Sequence, residues 1–186
     1  PGPDGGGPPY TGGGQAPVAV DCVHRGSGTD YQVGNPASDT GAGVVQVATI
    51  GEVPWESLGA GDTVRIFHRA TAYAEKMTIA TSGTEAQPIR VCGVPSASGA
   101  LPVILGDGAT TRSALGSVFG AYGNDSMQQR ALFVIRAPVY EERVEHVIVE
   151  GLRFTGVTTA PYHQGDTTSF VDWNGASHPY DDAGAG

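Results

Sequence analysis

The segment APYHQGDTTSFVDWNGASHPYDD, Ala160 to Asp182, holds the densest collection of chemically capable side chains in the chain. Aromatic faces beside carboxylates suit a sugar, which stacks on the former and hydrogen-bonds to the latter. Tyr162, His163, Trp173 and Tyr180 are therefore candidate saccharide contacts. Ca²⁺ takes several oxygen ligands, so Asp166, Asp172, Asp181 and Asp182 are candidate ligands for a cation that would bridge a polyuronate to the protein. The competing reading is plainer: Asp, Asn and Gly are ordinary turn residues, and Trp173 and Tyr162 would fold the loop onto its support. No spacing here matches a known ion-binding loop such as the EF-hand.

Three other stretches carry functional side chains. His68 and Arg69 follow an apolar run, with Tyr73, Glu75 and Lys76 close behind; a general base needs a partner within hydrogen-bond reach, and the simpler role is a satisfied histidine at a bend. Glu141, Glu142, Arg143 and Glu145 form a short charge run that reads as a solvated loop. Ala109 to Arg130 interrupts the rhythm of short strands and carries Phe119 and Tyr122 among glycines, as an insertion that walls a groove or makes a lateral contact would.

Composition limits what can hold these residues. The 186 residues include 29 Gly and 13 Pro, with 16% charged residues and Lys76 as the one lysine. Such a chain is made of turns and short strands, because Gly and Pro punctuate helix and strand alike. A formal charge of −9 opposes direct binding to nucleic acid or an anionic membrane, and it also opposes a polyanionic sugar unless a cation intervenes. No apolar run approaches the ~20 residues of a membrane-spanning helix.

Cys22 and Cys92 are too few for a disulfide scaffold and lack zinc-site spacing. Along Ile89-Arg90-Val91-Cys92 the alternation sends Ile89 and Val91 to one face and Arg90 and Cys92 to the other. A segment carrying Cys22 that lay across this outer face would allow a bridge, worth on the order of 4 kcal/mol for so long a loop, and it would imply an oxidising compartment. The alternative is two unrelated thiols.

Residues 1–29 are expected to be a Gly/Pro-rich tether and N-terminal arm, since PGPDGGGPPYTGGGQA cannot bury a core. Such a tether after a processed end fits an exported or surface protein. Residues 30–186 are expected to form short coils, with an insertion at about 109–130 and an aromatic, Asp-rich loop at about 157–186. Strands are expected at YQVG, within GVVQV, at Thr63 to Phe67, Lys76 to Ile79, Ile89 to Cys92, Val103 to Leu105, Ala131 to Ile135, His146 to Glu150 and Leu152 to Phe154. Pro54 suits the first position of a short cap helix on which Trp55 and Leu58 share a face. Strands this short without helices between them suit an all-β solenoid in which inward residues of successive coils stack. Val64, Ile66, Met77, Ile79, Ile89, Val91, Val147 and Val149 would point inward, and Arg65, Thr78, Arg90 and Ile148 outward.

GDTVRIFHRATAYAEKMTIATSGTEAQPIRVCGVPSASGALPVILGDG resembles the opening coils of the right-handed parallel β-helix superfamily, which includes pectate-lyase-like and chondroitinase-B-like polysaccharide lyases. The likeness lies in Gly61-Asp62-Thr63-Val64, Tyr73 to Ile79, the Ser82-Gly83-Thr84 turn before Pro88-Ile89, a Gly93-Val94-Pro95 turn and Val103 to Gly108, and returns in HVIVEGLRFTG. It spans roughly Tyr31 to Gly108 and Val144 to Gly156. The resemblance implies an N-terminal part of a secreted or surface protein that binds or processes polysaccharide, with its catalytic groove in later coils. One scaffold serves many activities, and no catalytic residue of the family maps onto this chain. The alternative is a structural protein that self-associates through open β-helix ends, because an unpaired strand edge recruits another strand and contacts that do not close build a fibre.

Overall fold

A computed structural model describes residues 21–106, 108–110, 132–137 and 142–156, together with the backbone of residues 169–171 and 177–179. Its strands are β1 (Asp30–Val33), β2 (Val44–Val47), β3 (Thr63–Phe67), β4 (Met77–Ile79), β5 (Ile89–Val94), β6 (Val103–Leu105), β7 (Phe133–Ile135), β8 (Val147–Glu150), β9 (Arg153–Thr155), β10 (Ser169–Val171) and β11 (Ser177–Pro179). The protein is mostly strand in parallel sheets with little helix, an all-β class as the Gly/Pro content implied.

Three parallel ladders make the body. The largest is a five-stranded sheet of order β2-β1-β3-β5-β8; β4 pairs with β7, and β6 with β9. The isolated bridge Tyr73↔Ile104 places Tyr73 on the β6-β9 ladder one turn earlier. The chain thus visits the ladders in a constant order: β3, Tyr73, β4; then β5, β6, β7; then β8, β9. The second turn is longer because it contains the residues between Thr110 and Leu132, the stretch that interrupts the sequence rhythm.

In-register pairing makes columns of equivalent side chains. Tyr31, Val64, Val91 and Val149 form one column, while Gln32, Arg65, Cys92 and Glu150 form its neighbour on the opposite face. Val64, Ile66, Met77, Ile79, Ile89 and Val91 are fully buried, and Val147 and Val149 pack half-buried against the same cluster. Each fully buried aliphatic side chain stabilises by about 1.5–3 kcal/mol. Arg65 and Arg90 face outward as the alternation requires, and Ile148 is 41% exposed. Thr78 departs from the expectation, being only 3% exposed; all of β4 is buried, with the turn at Trp55–Ser57 packed against it.

Several boundaries differ from the sequence reading for identifiable reasons. The cap helix is replaced by two single 3₁₀ turns, Ile50–Glu52 and Trp55–Ser57. Proline disfavours the helical region for the residue before it, and Val53 is accordingly extended at φ −69°, ψ 134°, splitting the segment. Trp55 still anchors the cap, fully buried, with its indole N–H donating to the Ile50 carbonyl at 2.7 Å. Gly93 and Val94 are not a turn but continue β5, opposite Ile66 and Phe67. A Cβ at position 93 would lie 1.9 Å from the Gly151 carbonyl oxygen, so this glycine serves a close backbone approach rather than a bend. The turn comes later, where the Ser96 N–H donates to the Ala100 carbonyl at 2.9 Å. His146 lies outside β8 in a left-handed conformation, φ 55°.

The outer face of the large sheet is covered by residues 21–29. Cys22 and Cys92 form a disulfide with Cα atoms 5.6 Å apart, and Cys92 is fully buried beneath the arm. The Thr63 N–H donates to the Thr29 carbonyl at 2.9 Å, and the Thr29 N–H to Asp62 Oδ1 at 2.7 Å. Glycine allows the contact: a Cβ on Gly26 would lie 1.9 Å from the Gly61 carbonyl oxygen, and one on Gly28 2.3 Å from Asp62 Oδ1. Of the tether and arm expected at residues 1–29, residues 1–20 lie outside the described residues.

With its cysteines 70 positions apart in sequence, the bridge restricts the unfolded chain strongly. Cys22→Ser is expected to cost about 4 kcal/mol, roughly 10 °C in melting temperature for a chain this size. Calorimetry of the oxidised protein beside the variant checks this, and equal melting points refute it.

Candidate functional site

The residues proposed from sequence as sugar contacts, Tyr162, His163, Trp173 and Tyr180, and as Ca²⁺ ligands, Asp166, Asp172, Asp181 and Asp182, all lie outside the described residues. The surrounding segment is not wholly loop, for β10 and β11 pair antiparallel with Phe170 opposite His178. Among the described residues no group of three or more His, Cys, Asp or Glu is placed to hold a metal ion. Phe119 and Tyr122 also lie outside the described residues.

The cluster at residues 68–76 proves to be architecture. Tyr73 is fully buried, and its hydroxyl donates to the Phe67 carbonyl at 2.8 Å, with the Val33 carbonyl at 3.3 Å. The Arg69 guanidinium carbon lies 3.6 Å from the centre of the Tyr73 ring, while Arg69 Nε donates to the Thr71 carbonyl at 2.9 Å. Glu75 Oε2 accepts from the Gly51 N–H at 2.6 Å, tying the cap to the body. Burial pushes the Tyr73 phenol above its ordinary pKa; Arg69 opposes this and Glu75 adds to it. Burial likewise lowers the Lys76 ammonium. The His68 backbone N–H donates to the Val94 carbonyl at 2.9 Å. Glu142, Arg143 and Glu145 are exposed, as a solvated charge run should be.

A polar network holds the loop between β1 and β2. Arg65 Nε donates to Asp30 Oδ1 at 2.8 Å and Nη2 to Oδ2 at 2.5 Å, a two-pronged pair on the outer face. Gln32 Nε2 donates to both Asp30 Oδ2, at 2.8 Å, and Asp39 Oδ2, at 2.7 Å. The Gln32 amide and the Gly41 N–H together hold the Asp39 carboxyl below its usual range.

The site with open, convergent chemistry lies elsewhere on the outer face. A cleft of about 300 Å³ runs between the arm and β8, lined by Arg25, Gly26, Thr63, Ala86, Gln87, Pro88, Arg90, Ile148 and Glu150. Arg90 organises it. Its Nε donates to Glu150 Oε1 at 2.6 Å, its Nη1 to the Val23 carbonyl at 2.9 Å and its Nη2 to the Asp21 carbonyl at 2.6 Å, so one guanidinium joins β5, β8 and the arm. On the opposite wall Gln87 Oε1 accepts from the Ser27 N–H at 2.9 Å. Thr63, which lines the cleft, has its Oγ1 3.0 Å from His24 Nδ1. Hydrogen-bonding groups therefore line the cleft together with the apolar side chains of Ile148, Pro88 and Ala86.

Sequence reasoning placed Arg90 and Ile148 on the outer face but did not assemble this cleft. The available signal was the spacing of Gly26 and Gly28, which leaves one side of an extended arm bare for another backbone. Comparison with protein-family models, with curated proteins and with solved structures finds no match to this chain.

The Tyr73 shift has a definite sign. A phenol whose folded-state pKa is raised above the ordinary 10.0 leaves stability unchanged below that pH and erodes it as the pH rises further. Urea midpoints measured from pH 8 to above pH 11 are expected to fall more shallowly for Tyr73→Phe than for the parent. The variant should itself be less stable by about 1 kcal/mol at neutral pH, and identical alkaline slopes would refute the assignment.

Proposed function

We propose that this chain is a section of a right-handed parallel β-helix, of the kind found in the pectate-lyase-like superfamily, that binds polysaccharide outside the cell. The constant order in which the chain visits its three parallel ladders supports the helical reading, as each turn then lies on the last. The disulfide between Cys22 and Cys92 supports an exported location. No helix among the described residues is long and apolar enough to cross a membrane.

The observation that carries the binding reading is the outer-face cleft, with its ring of hydrogen-bonding groups around exposed Ile148. Its chemistry is that of binding, and no bond-breaking step is assigned to it. The superfamily's lyases act on uronates, so cleavage of that kind belongs to the reading only if an acidic sugar enters a site on this chain. The Ca²⁺ ligands and aromatic contacts proposed between Tyr162 and Asp182 would form a second contact area for the same polymer.

Saturation-transfer NMR against a mixed panel of neutral and acidic oligosaccharides, with and without Ca²⁺, tests the reading. Transfer to at least one saccharide is expected, and none across the panel overturns it.

A second reading is favoured by one feature of the edge strands β7, β8 and β9. Ile135, Ile148 and Phe154 are 46%, 41% and 41% exposed there, while Val45 on the far edge strand is 41% exposed. Stacking of one molecule's β8 edge on another's β2 edge would cover these residues and extend the sheets. Sedimentation velocity over a hundredfold range of concentration is expected to show growing species under this reading; a constant monomer excludes it.

A further inference from the structure

We propose that the cleft between the N-terminal arm and β8 holds a neutral saccharide through adjacent hydroxyl groups and discriminates against a uronate. This rests on the polysaccharide reading above and specifies its substrate class.

The cleft contains two cations, and both are balanced. Arg90 directs Nε and Nη2 at Glu150 Oε1 and gives further donors to the carbonyls of Val23 and Asp21. Arg25 pairs with the Asp21 carboxylate at the exposed rim. An entering carboxylate would find no uncompensated positive charge to replace its hydration, and desolvating an anion without a partner is strongly unfavourable. It would also meet Glu150, whose Oε2 has no hydrogen-bond partner among the described residues. Like charges brought together in this way are how a site rejects a competitor. The chain's charge of −9 acts in the same direction.

A hydroxyl group fits where a carboxylate does not. It donates one hydrogen bond and accepts others at once, so a pair of neighbouring sugar hydroxyls can use an acceptor and a donor together. Glu150 Oε2 is the acceptor. A guanidinium has five N–H donors, and the Arg90 bonds described leave one on Nη1. Gln87 supplies the other donor: its Oε1 is committed to the Ser27 N–H at 2.9 Å, which fixes the amide and leaves Nε2 without a partner among the described residues. Ile148, with Pro88, offers apolar surface to the C–H face of a ring. The volume of about 300 Å³ sits at the lower end of the roughly 300–1,000 Å³ found for small-ligand sites, suited to a short stretch of a polymer.

The test is an amide-resolved NMR titration of the intact, oxidised chain with maltotriose, cellotriose, mannotriose and trigalacturonate. At least one neutral trisaccharide is expected to move the amides of Gln87, Arg90 and Glu150 and to bind about tenfold or more tightly than trigalacturonate. Glu150→Gln should weaken the neutral ligand about tenfold, and Ile148→Lys, at an exposed position that leaves the core untouched, should raise trigalacturonate affinity. Trigalacturonate binding in the cleft as tightly as the neutral sugars overturns this proposal and leaves the polysaccharide reading standing. So does a neutral sugar that binds while these amides stay still, or a neutral affinity unchanged in Glu150→Gln. Failure of every saccharide to bind overturns both.

Discussion

The structure depends on in-register parallel pairing of short strands. When Val64, Val91 and Val149 stand in one column and Arg65, Cys92 and Glu150 in the next, one face of the sheet is apolar throughout while the other carries the charged and polar side chains beside a few apolar ones such as Ile148. A slip of one residue would exchange the two faces, sending Arg90 into the core and Val91 into water. The hydrophobic cluster therefore supplies stability and also enforces the register. Because every paired strand presents the same alternation, it also determines which side chains are left to meet solvent or the arm.

The outer face shows how a polar sheet surface is used. Cys92, Arg90 and Thr63 each fasten the arm by a different chemistry: a covalent bond, charge-assisted hydrogen bonds to carbonyls, and neutral hydrogen bonds. Glycines at positions 26 and 28 let the arm lie close enough for these to form, since any Cβ there would collide with Gly61 or Asp62. Fastening stops short of β8, and the cleft is the space that remains between the arm and the last paired strand. Arg90 thus orients Glu150 at the cleft while holding the arm down.

Elsewhere among the described residues, charged and aromatic groups such as Tyr73, Arg69 and Arg65 are used for stability. Tyr73 caps the carbonyls of Phe67 and Val33 under an Arg69 lid, and Arg65 neutralises Asp30 beside Gln32. In a core built of strands of three to six residues, bends leave many carbonyls without ladder partners. Side chains such as Tyr73 and Trp55 supply the missing donors.

Much of this was legible along the chain. Period-2 alternation at Thr63 to Phe67 and Ile89 to Cys92 determined which side chains go inward, and with it the outward direction of Cys92. Gly and Pro density determined the all-β class and the approximate positions of β1 to β9, with both ends right at Thr63–Phe67 and Val103–Leu105. Tertiary contacts decided the rest. Gly93 reads as a turn residue until Gly151 is seen against it, and Thr78 reads as outward until the cap packs on β4. Gln87, Arg90, Glu150 and Ser27 form one site though widely separated in sequence. Alternation is a local property, enforced between neighbouring residues by backbone geometry. A cleft arises from which distant segments stack, and that depends on the summed burial of the core.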